Sequence, residues 1–454
     1  MDGFMNITDH NTITMITNED VLNTIVENNI KFIRLQFVDI LGIAKNVAIP
    51  AAQMEKALSA GISFDGSSIE GFARIHESDM VLKPDPATFR ILPWEADGSR
   101  VAGIVSDVYL PDNTPFAGCP RYILKRAEKE AEKMGYIMNI GPELEFFLFR
   151  KRDGVPTTIP HDSGGYFDFP PVDLAEDIRR DIVIALADMG FEIEASHHEV
   201  ANGQHEIDFK YSDALSTADH VVTFKYVTKT IATNKDLHAA FMPKPVFGTS
   251  GSGMHINISL FKNNENAFFD PGSDHEISDV ARHFIGGLLA HIKAVTAIAN
   301  PVVNSYKRLV SGYEAPVYIT WSWANRSSLI RVPAARGSGT RIELRSPDPS
   351  CNPYLAFAAI LAAGLDGIRN KIDPGEPIGE NIYEMDFHRI TDAGIDTLPT
   401  SLSLALDHLK SDDVVRSALG EHAYNAFTRI AAAQWEEYRV QVHQWELDRY
   451  LQLL

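Results

Sequence analysis

Apolar and polar residues alternate along several short stretches of this chain, the period of a β-strand with one buried face. From Lys31 to Pro50, KFIRLQFVDILGIAKNVAIP alternates, breaks at Gly42 and resumes, which predicts a hairpin. RVAGIVSDVYL, residues 100–110, predicts another strand. Between them lies AGISFDGSSIEGFARIHESDM, residues 60–80, read as one long loop rich in Gly and Ser; a loop of that length is often functional. PDNTPFAGCPR, residues 111–121, has the Pro and Gly content of a linker. It places a domain boundary near Ala117, with one domain over 1–116 and a second over 117–454. Beyond it strands and helices intermix. Helices are predicted from Pro120 to a stop at Gly135, and over 172–190, 215–236, 278–299, 353–370 and 422–452.

The strands of the second domain share a peculiarity. In GPELEFFLF, Glu143 and Glu145 fall on one face and Leu144 and Phe146 on the other. In MHINISL, His255, Asn257 and Ser259 oppose Ile256, Ile258 and Leu260; in RIELR, Arg341, Glu343 and Arg345 oppose Ile342 and Leu344. In HHEVANGQHEIDF, residues 197–209, the Asn202-Gly203 pair marks a tight turn, because both residues tolerate positive φ. Glu199 and Glu206 then sit on two arms that can face one space, as ligands or merely toward water. These patterns predict an α+β fold whose antiparallel sheet has an apolar face on a core and a charged face lining a cavity.

Composition narrows the function. A chain of 454 residues with 45% hydrophobic and 22% charged residues can bury sizeable cores. Its net charge of −20 argues against nucleic acid or an anionic membrane surface as partner. An anionic substrate would need a local cluster of arginines. Cys119 and Cys351 make no disulfide framework, so a reducing cytoplasm is the expected location. The longest apolar run, Tyr354 to Leu365, is too short to span a bilayer, and MDGFMNITDHNTITM shows no signal-peptide pattern.

The charged face offers five carboxylates and one imidazole: Glu143, Glu145, Glu199, Glu206, His255 and Glu343. Oxygen-rich ligands of this kind suit Mg²⁺ or Mn²⁺, and six are enough for two or more ions. A solvated sheet face is the bland alternative. His197 and His198 read as structural. Arg308, Arg326, Arg331, Arg336, Arg341 and Arg345 crowd one stretch of chain. Guanidinium forks match carboxylate and phosphate oxygens, so acids beside arginines fit phosphoryl transfer. The chain has no P-loop pattern; FGTSGSGMH leads into a strand and reads as a tight turn or as close backbone approach to a ligand.

FDGSSIEGF, ESDM, GPELEFFLF, HHEVANGQHEIDF, GSGMH, NSYKRLVSGYEAP, NRS, RIELRSPDPS and NPYLAFAA, in this order, make the chain resemble class I glutamine synthetase over nearly its whole length. The resemblance is to the archaeal and Gram-positive branch that is subject to feedback inhibition. It implies an N-terminal β-grasp domain and a catalytic domain built on a curved antiparallel sheet flanked by helices. It implies ATP-dependent ligation of ammonia to glutamate through a γ-glutamyl phosphate. Glu145, Glu199 and Glu206 would hold one ion, and Glu143, His255 and Glu343 the other. Gly251, Ser250, Arg308, Glu314, Arg326 and Arg345 would grip glutamate, with Ser250 standing where the family often has Asn. Glu194, Tyr211, Asn257 and Ser259 would contact the nucleotide, and Arg326, Arg331 and Arg341 would face its phosphates. Asp65, from a neighbouring subunit, would strip ammonium of its proton, with Ser68, Tyr166, Glu199 and Glu314 around it. Glu314 would lie on the flap that closes the site.

The resemblance also implies a homo-oligomer, a dodecamer of two stacked hexamers. Trp435, Tyr438, Val442 and Trp445 would form an apolar stripe on a single terminal helix that inserts into the opposite ring. Arg74 would mediate glutamine feedback, and small regulatory proteins are compatible partners. Phe32, Arg90, Arg179 and Arg180 would hold 2-oxoglutarate, although Arg180 can instead pair with Glu176 one turn away. Tyr383 lacks the acidic, Pro-containing sequence that follows the adenylylated tyrosine of another branch. Two rival readings are a ligase that joins glutamate to a polyamine or other amine, and a relative that kept the fold without catalysis. The presence of Asp65, Ser68 and Glu314 favours ammonia over an amine, and the complete ligand set favours an enzyme.

Overall fold

The alternating segment near the start forms the predicted hairpin. Strand β1 (Ile30–Val38) runs antiparallel to β2 (Ala44–Pro50), with Ile33 opposite Ile49. Gly42 turns the chain at φ +81°, and the buried Asp39 carboxylate accepts the backbone N–H groups of Leu41 and Ile43 at 3.0 and 2.9 Å. The computed structural model describes residues 16–72, 79–93, 100–313, 315–323, 325–380, 382–385 and 394–454.

Four more strands complete the first sheet: β3 (Ile62–Asp65), β4 (Asp79–Pro84), β5 (Arg90–Ile91) and β6 (Arg100–Tyr109). Their order is β2-β1-β6-β4-β3, with β5 on β6, and β1 and β6 run parallel. Helices α1 (Asn18–Glu27) and α2 (Met54–Ala60) close its core, where Val21, Ile33, Leu35, Met54, Leu82 and Ile104 are buried. The segment expected to be one long loop therefore begins as strand. Ile62-Ser63-Phe64-Asp65 alternates too, but four residues are too few to stand out from their Gly and Ser flanks.

In the second domain, strands β7 (Ile137–Arg152), β8 (Val155–Pro160), β9 (Ile193–His198), β10 (Gln204–Phe209), β11 (Ser212–Asp213), β12 (Leu237–Ala240), β13 (Met254–Lys262), β14 (Glu265–Asn266), β15 (Trp321–Trp323), β16 (Ile330–Val332) and β17 (Ile342–Leu344) form the larger sheet. Its order is β15-β16-β17-β13-β7-β10-β9, with β8, β11 and β12 on β7 and β14 on β13. Every pairing is antiparallel except β15 with β16, so the sheet is mixed, not purely antiparallel. Helices α3 (Pro120–Lys133), α4 (Glu176–Asp188), α5 (Ala214–Asn234), α6 (Asp279–Ala299), the single turn α7 (Ser305–Arg308) and α8 (Pro353–Asn370) surround it. Leu144, Phe146, Ile256 and Ile258 point from the sheet into this helical layer and are fully buried, as is Phe224 of α5.

A buried ionic knot ties the domains together. Arg121, at the start of α3, pairs with Asp85 and Asp107 of the first domain at 2.7 and 3.0 Å and with Asp219 of α5 at 2.8 Å. The Tyr354 hydroxyl donates to the same Asp219 at 2.6 Å.

Two expected helices are shorter than the pattern implied. The helix of 172–190 starts at Glu176, because Asp173 is committed to Ala175 N–H and to Arg179. The terminal helix of 422–452 is two helices, Glu421–Arg439 and Gln444–Tyr450. His443 caps the second in a reciprocal box with Glu446, and the β-branched Val440 and Val442 lie in the break.

Candidate active site

Strand β7 is the spine of the site. Side chains directly opposite on one face of a sheet lie about 5 Å apart at Cβ. The register puts Glu145 opposite Glu206 and Glu143 opposite Asp208 on one side, and Glu143 opposite His255 on the other. On the outer strands His197 faces Glu206, while Asn257 and Arg331 flank Glu343. Strand pairing alone thus gathers acids from three strands onto one face.

Glu343 is the node of the positive side. It is buried and accepts from Arg331 Nη1 at 2.6 Å and from Arg345 Nη1, while His255 Nδ1 lies 3.7 Å away. Glu143 meets His255 Nδ1 at 3.2 Å and accepts from Asn257 Nδ2 at 2.9 Å; Arg341 Nε in turn donates to Asn257 Oδ1 at 2.9 Å. The second node is Glu145, whose Oε2 accepts from Gly253 N–H and from Gln204 Nε2, both at 2.8 Å. The same Gln204 amide donates to the Gly251 carbonyl at 3.2 Å. Arg308 is buried, with Nη1 donating to the Ser346 carbonyl at 2.7 Å.

Two clefts open on this face. A wide one of about 350 Å³ is lined by Glu143, Glu194, Tyr211, Asn257, Ser259 and Arg341, among others. A narrow one of about 30 Å³ brings together Glu145, Glu199, Ser250, Gly251, Arg308 and Arg345.

The acids crowd one another. Burial, then Glu206 and Glu199, pushes Glu145 well above the usual carboxylate range. Burial, then Asp208, Glu199 and Glu143, does the same to Glu206. Burial, then Glu143, lifts Asp208 to about 7. Glu143 is the exception. Burial opposes its charge, but hydrogen bonds from His255 and Asn257 hold it at about 2. Burial, then Arg345, lowers His255, which leaves its imidazole neutral and able to ligate.

This donor set fits divalent cations. Ligand atoms of Glu143, His255 and Glu343 lie within 4.8 Å of one another, as do those of His197, Glu206 and Asp208. Hard oxygen donors with an imidazole, mutually repelling until a cation is shared, suit Mg²⁺ or Mn²⁺.

Residues 117–450 match the family model described as glutamine synthetase, catalytic domain, and residues 29–111 match glutamine synthetase, beta-Grasp domain. The chain belongs to the glutamine synthetase family. It is 60% identical to the glutamine synthetase of Methanosarcina mazei over 439 residues, which cover 96% of this chain and 98% of that one. It is 56% identical to the glutamine synthetase of Clostridium saccharobutylicum over 436 residues, covering 96% and 98%. The solved Plasmodium falciparum glutamine synthetase superposes with a TM-score of 0.85 at 28% identity, covering 96% and 98%. The α+β architecture, a β-grasp domain followed by a catalytic sheet with helices, is that of the family.

Against the residues expected from the glutamine synthetase resemblance, the single chain brings most together. Glu194, Tyr211, Asn257, Ser259 and Arg341 share the wide cleft, and Arg331 reaches Glu343 beside it. Tyr166 is exposed and senses both Glu199 and Arg326, so these three stand near one another. Arg336 turns away, its Nε donating to the His275 carbonyl at 2.8 Å. Asp65 and Ser68 are exposed at the end of β3, and neither lines these clefts. Glu314 and Arg74 lie outside the described residues.

The four residues expected to hold 2-oxoglutarate fare unevenly. Phe32 is exposed, and Arg90 Nη1 is donated to the Ala87 and Phe89 carbonyls at 3.0 and 2.7 Å. Arg180 pairs with Asp177 and not with Glu176. Arg179 is no free grip. It is buried, pairs with Asp173 at 2.6 Å and donates to His205 Nδ1 at 2.9 Å and Ser196 Oγ at 3.2 Å. Arg179→Met is expected to cost about 3–5 kcal/mol, because the Asp173 carboxylate would stay buried without its partner. The midpoint of denaturant unfolding measures this.

Three contributors escaped sequence reasoning. Gln204 and Asp208 share the polar face of β10 with Glu206, and the period-two pattern contained that signal. Asp162 is the third. Its Oδ1 lies 3.1 Å from His198 Nε2 and accepts Gly203 N–H at 2.9 Å, which pins the Asn-Gly turn that sets Glu199. No local pattern pairs a residue of the 160s with that turn.

Proposed function

We infer that this chain joins ammonia to the side-chain carboxylate of L-glutamate at the expense of ATP, giving L-glutamine through a γ-glutamyl phosphate. The observation that carries this reading is the Glu343 node: a buried carboxylate held between Arg331 and Arg345, opposite Asn257 and 3.7 Å from His255, which pairs with Glu143. Acid ligands and guanidinium forks on one sheet face are what phosphoryl transfer to an anionic acceptor requires, since both reactants repel each other until positive charge intervenes.

The roles divide between the two clefts. Glu145, Glu199 and Glu206 hold one divalent ion on the glutamate side, and Glu143, His255 and Glu343 hold another on the nucleotide side. Bound Mg²⁺ or Mn²⁺ neutralises the transferring phosphate and the attacking carboxylate. Arg308, Arg345, Gly251 and Ser250 orient glutamate in the narrow cleft. Glu194, Tyr211, Asn257 and Ser259 take the nucleotide in the wide one, with Arg326, Arg331 and Arg341 toward its phosphates. The γ-carboxylate oxygen attacks the γ-phosphorus and ADP leaves. Asp65 of a neighbouring subunit, with Ser68, Tyr166, Glu199 and Glu314, binds ammonium and takes its proton; ammonia then attacks the acyl carbon and phosphate departs. Glu314 closes the site against water.

This division makes the enzyme a homo-oligomer, and two stacked hexameric rings are the assembly proposed. Both cysteines are buried and free, in keeping with a cytoplasmic location, and among the described residues no helix is long and apolar enough to cross a membrane. Glutamine feedback through Arg74 and activation by 2-oxoglutarate through Phe32, Arg90 and Arg180 complete the proposal. Millimolar 2-oxoglutarate should raise the rate, and Arg90→Ala should blunt that rise without changing divalent-ion affinity; initial rates and ion titrations check both.

An ADP-release assay with ammonium, methylamine, ethylamine and putrescine as alternative acceptors tests the reading. Ammonium is expected to give the highest kcat/KM; a preference for any of the amines would replace it with an amine ligase.

A further inference from the structure

A third cleft, of about 740 Å³, opens where the two domains meet, between the β1–β2 turn and helix α5. It shares no lining residue with the two clefts of the active site. Leu41, Ile43, Val222, Tyr226 and Met242 give it apolar walls, and Ile43 and Met242 are exposed there. Lys225 and Lys229, one turn apart on α5, and His238 of β12 line it as well, and no Asp or Glu does.

The two ammonium groups lack counter-charge. Lys225 Nζ donates to the Cys351 carbonyl at 3.3 Å, and Lys229 Nζ stands 5.7 Å from the centre of the Phe241 ring. Neither has a carboxylate within 4.0 Å among the described residues. Asp348, whose charge reaches Lys225, is buried and already accepts from Asn300 and from the Ser350 N–H and hydroxyl. Burial draws Lys225 down to about 8 and lowers the more exposed Lys229, so the cleft holds two ammonium groups that their surroundings do not stabilise, while burial keeps the His238 imidazole neutral. Like charges four residues apart on a helix repel, and a desolvated charge without a partner is costly. In a chain of net charge −20 such a patch has a use when an anion enters it.

The walls say which kind of anion. The volume suits a small organic molecule. The apolar residues would be wasted on a bare inorganic ion. The turn is also preformed: Asp39 fixes it, and a Cβ on Gly42 would fall 2.7 Å from Asn352 Cα.

We propose that this cleft is a binding site for a small amphipathic carboxylate, whose charged end lies between Lys225 and Lys229 and whose apolar body lies against Ile43, Val222, Tyr226 and Met242. Such a ligand touches the N-terminal domain through the turn and the catalytic domain through α5 and β12, and so clamps one to the other.

Calorimetric titration of the assembled full-length enzyme, with glutamate saturating, tests the site using hexanoate, hexanamide and inorganic phosphate as probes. One hexanoate per chain is expected, with hexanamide and phosphate at least 10-fold weaker. Lys225→Met and Lys229→Met should each weaken hexanoate at least 10-fold and leave the glutamine-forming rate without hexanoate unchanged. Independently of any variant, hexanoate should slow acetylation of Lys225 by acetic anhydride, read by peptide mass spectrometry, and leave the exposed Lys129 unaffected. Absence of hexanoate binding overturns the proposal. So does equal binding of hexanamide, phosphate binding as tight as hexanoate, undiminished affinity in Lys225→Met, or unprotected Lys225.

Discussion

Glu343→Ala is expected to lower kcat/KM by about 10³-fold while the sheet stays folded. Its neighbours Ile342 and Leu344 carry the packing of β17 and are fully buried, so removing a side chain from the opposite face leaves the core intact. Three things are lost together: the proposed ligand of the nucleotide-side ion, the acceptor of Arg331, and the acceptor of Arg345. The freed guanidiniums would compete for phosphate and carboxylate oxygens in unproductive poses. Steady-state rates at saturating Mg²⁺, with circular dichroism as the folding control, measure the effect. A rate within tenfold of the parent enzyme would show that Glu343 is not a ligand.

Asp65→Ala is expected to abolish ammonium-dependent synthesis almost completely and to leave nucleotide binding intact. The carboxylate stands exposed at the end of β3, accepts the Ser67 N–H at 2.8 Å, and does not line the two active-site clefts. In the proposed reaction it acts on a neighbouring subunit. Subunits carrying Asp65→Ala, mixed with subunits carrying Glu145→Ala, should therefore regain activity. At equal mixing, about a quarter of the sites combine two intact halves if a ring shares its sites heterologously. Activity assays after exchange of subunits decide the matter; no recovery in demonstrably mixed rings would mean that each chain builds its site alone.

How much of this was legible in the sequence depends on the range of the interaction. The alternation in GPELEFFLF and MHINISL placed Glu143, Glu145 and His255 on the polar face correctly, because side-chain direction in a strand is a local property. Which residues then meet is set by register between distant strands. The sequence put Arg341 and Arg345 beside Glu343 as strand neighbours. In the fold Arg341 turns to Asn257, and Arg331 takes its place, because β16 lies alongside β17 with Arg331 opposite Glu343. Arg179 was expected to be an effector grip on the family resemblance alone. Its partners Asp173, Ser196 and His205 come from a loop and two strands whose packing no period reveals. The break near residue 440 was missed for a different reason: the apolar stripe continues across it, and only the cap at His443 interrupts the backbone.

The most direct measurement follows oxygen. In the proposed reaction a glutamate γ-carboxylate oxygen attacks the γ-phosphorus of ATP and leaves with the phosphate when ammonia takes its place. Glutamate labelled with ¹⁸O in the γ-carboxylate, turned over with ATP, ammonium and Mg²⁺, should deliver one ¹⁸O into each inorganic phosphate released, with one ADP and one glutamine formed. Phosphate carrying no label would mean that the carboxylate is not phosphorylated and would contradict the account.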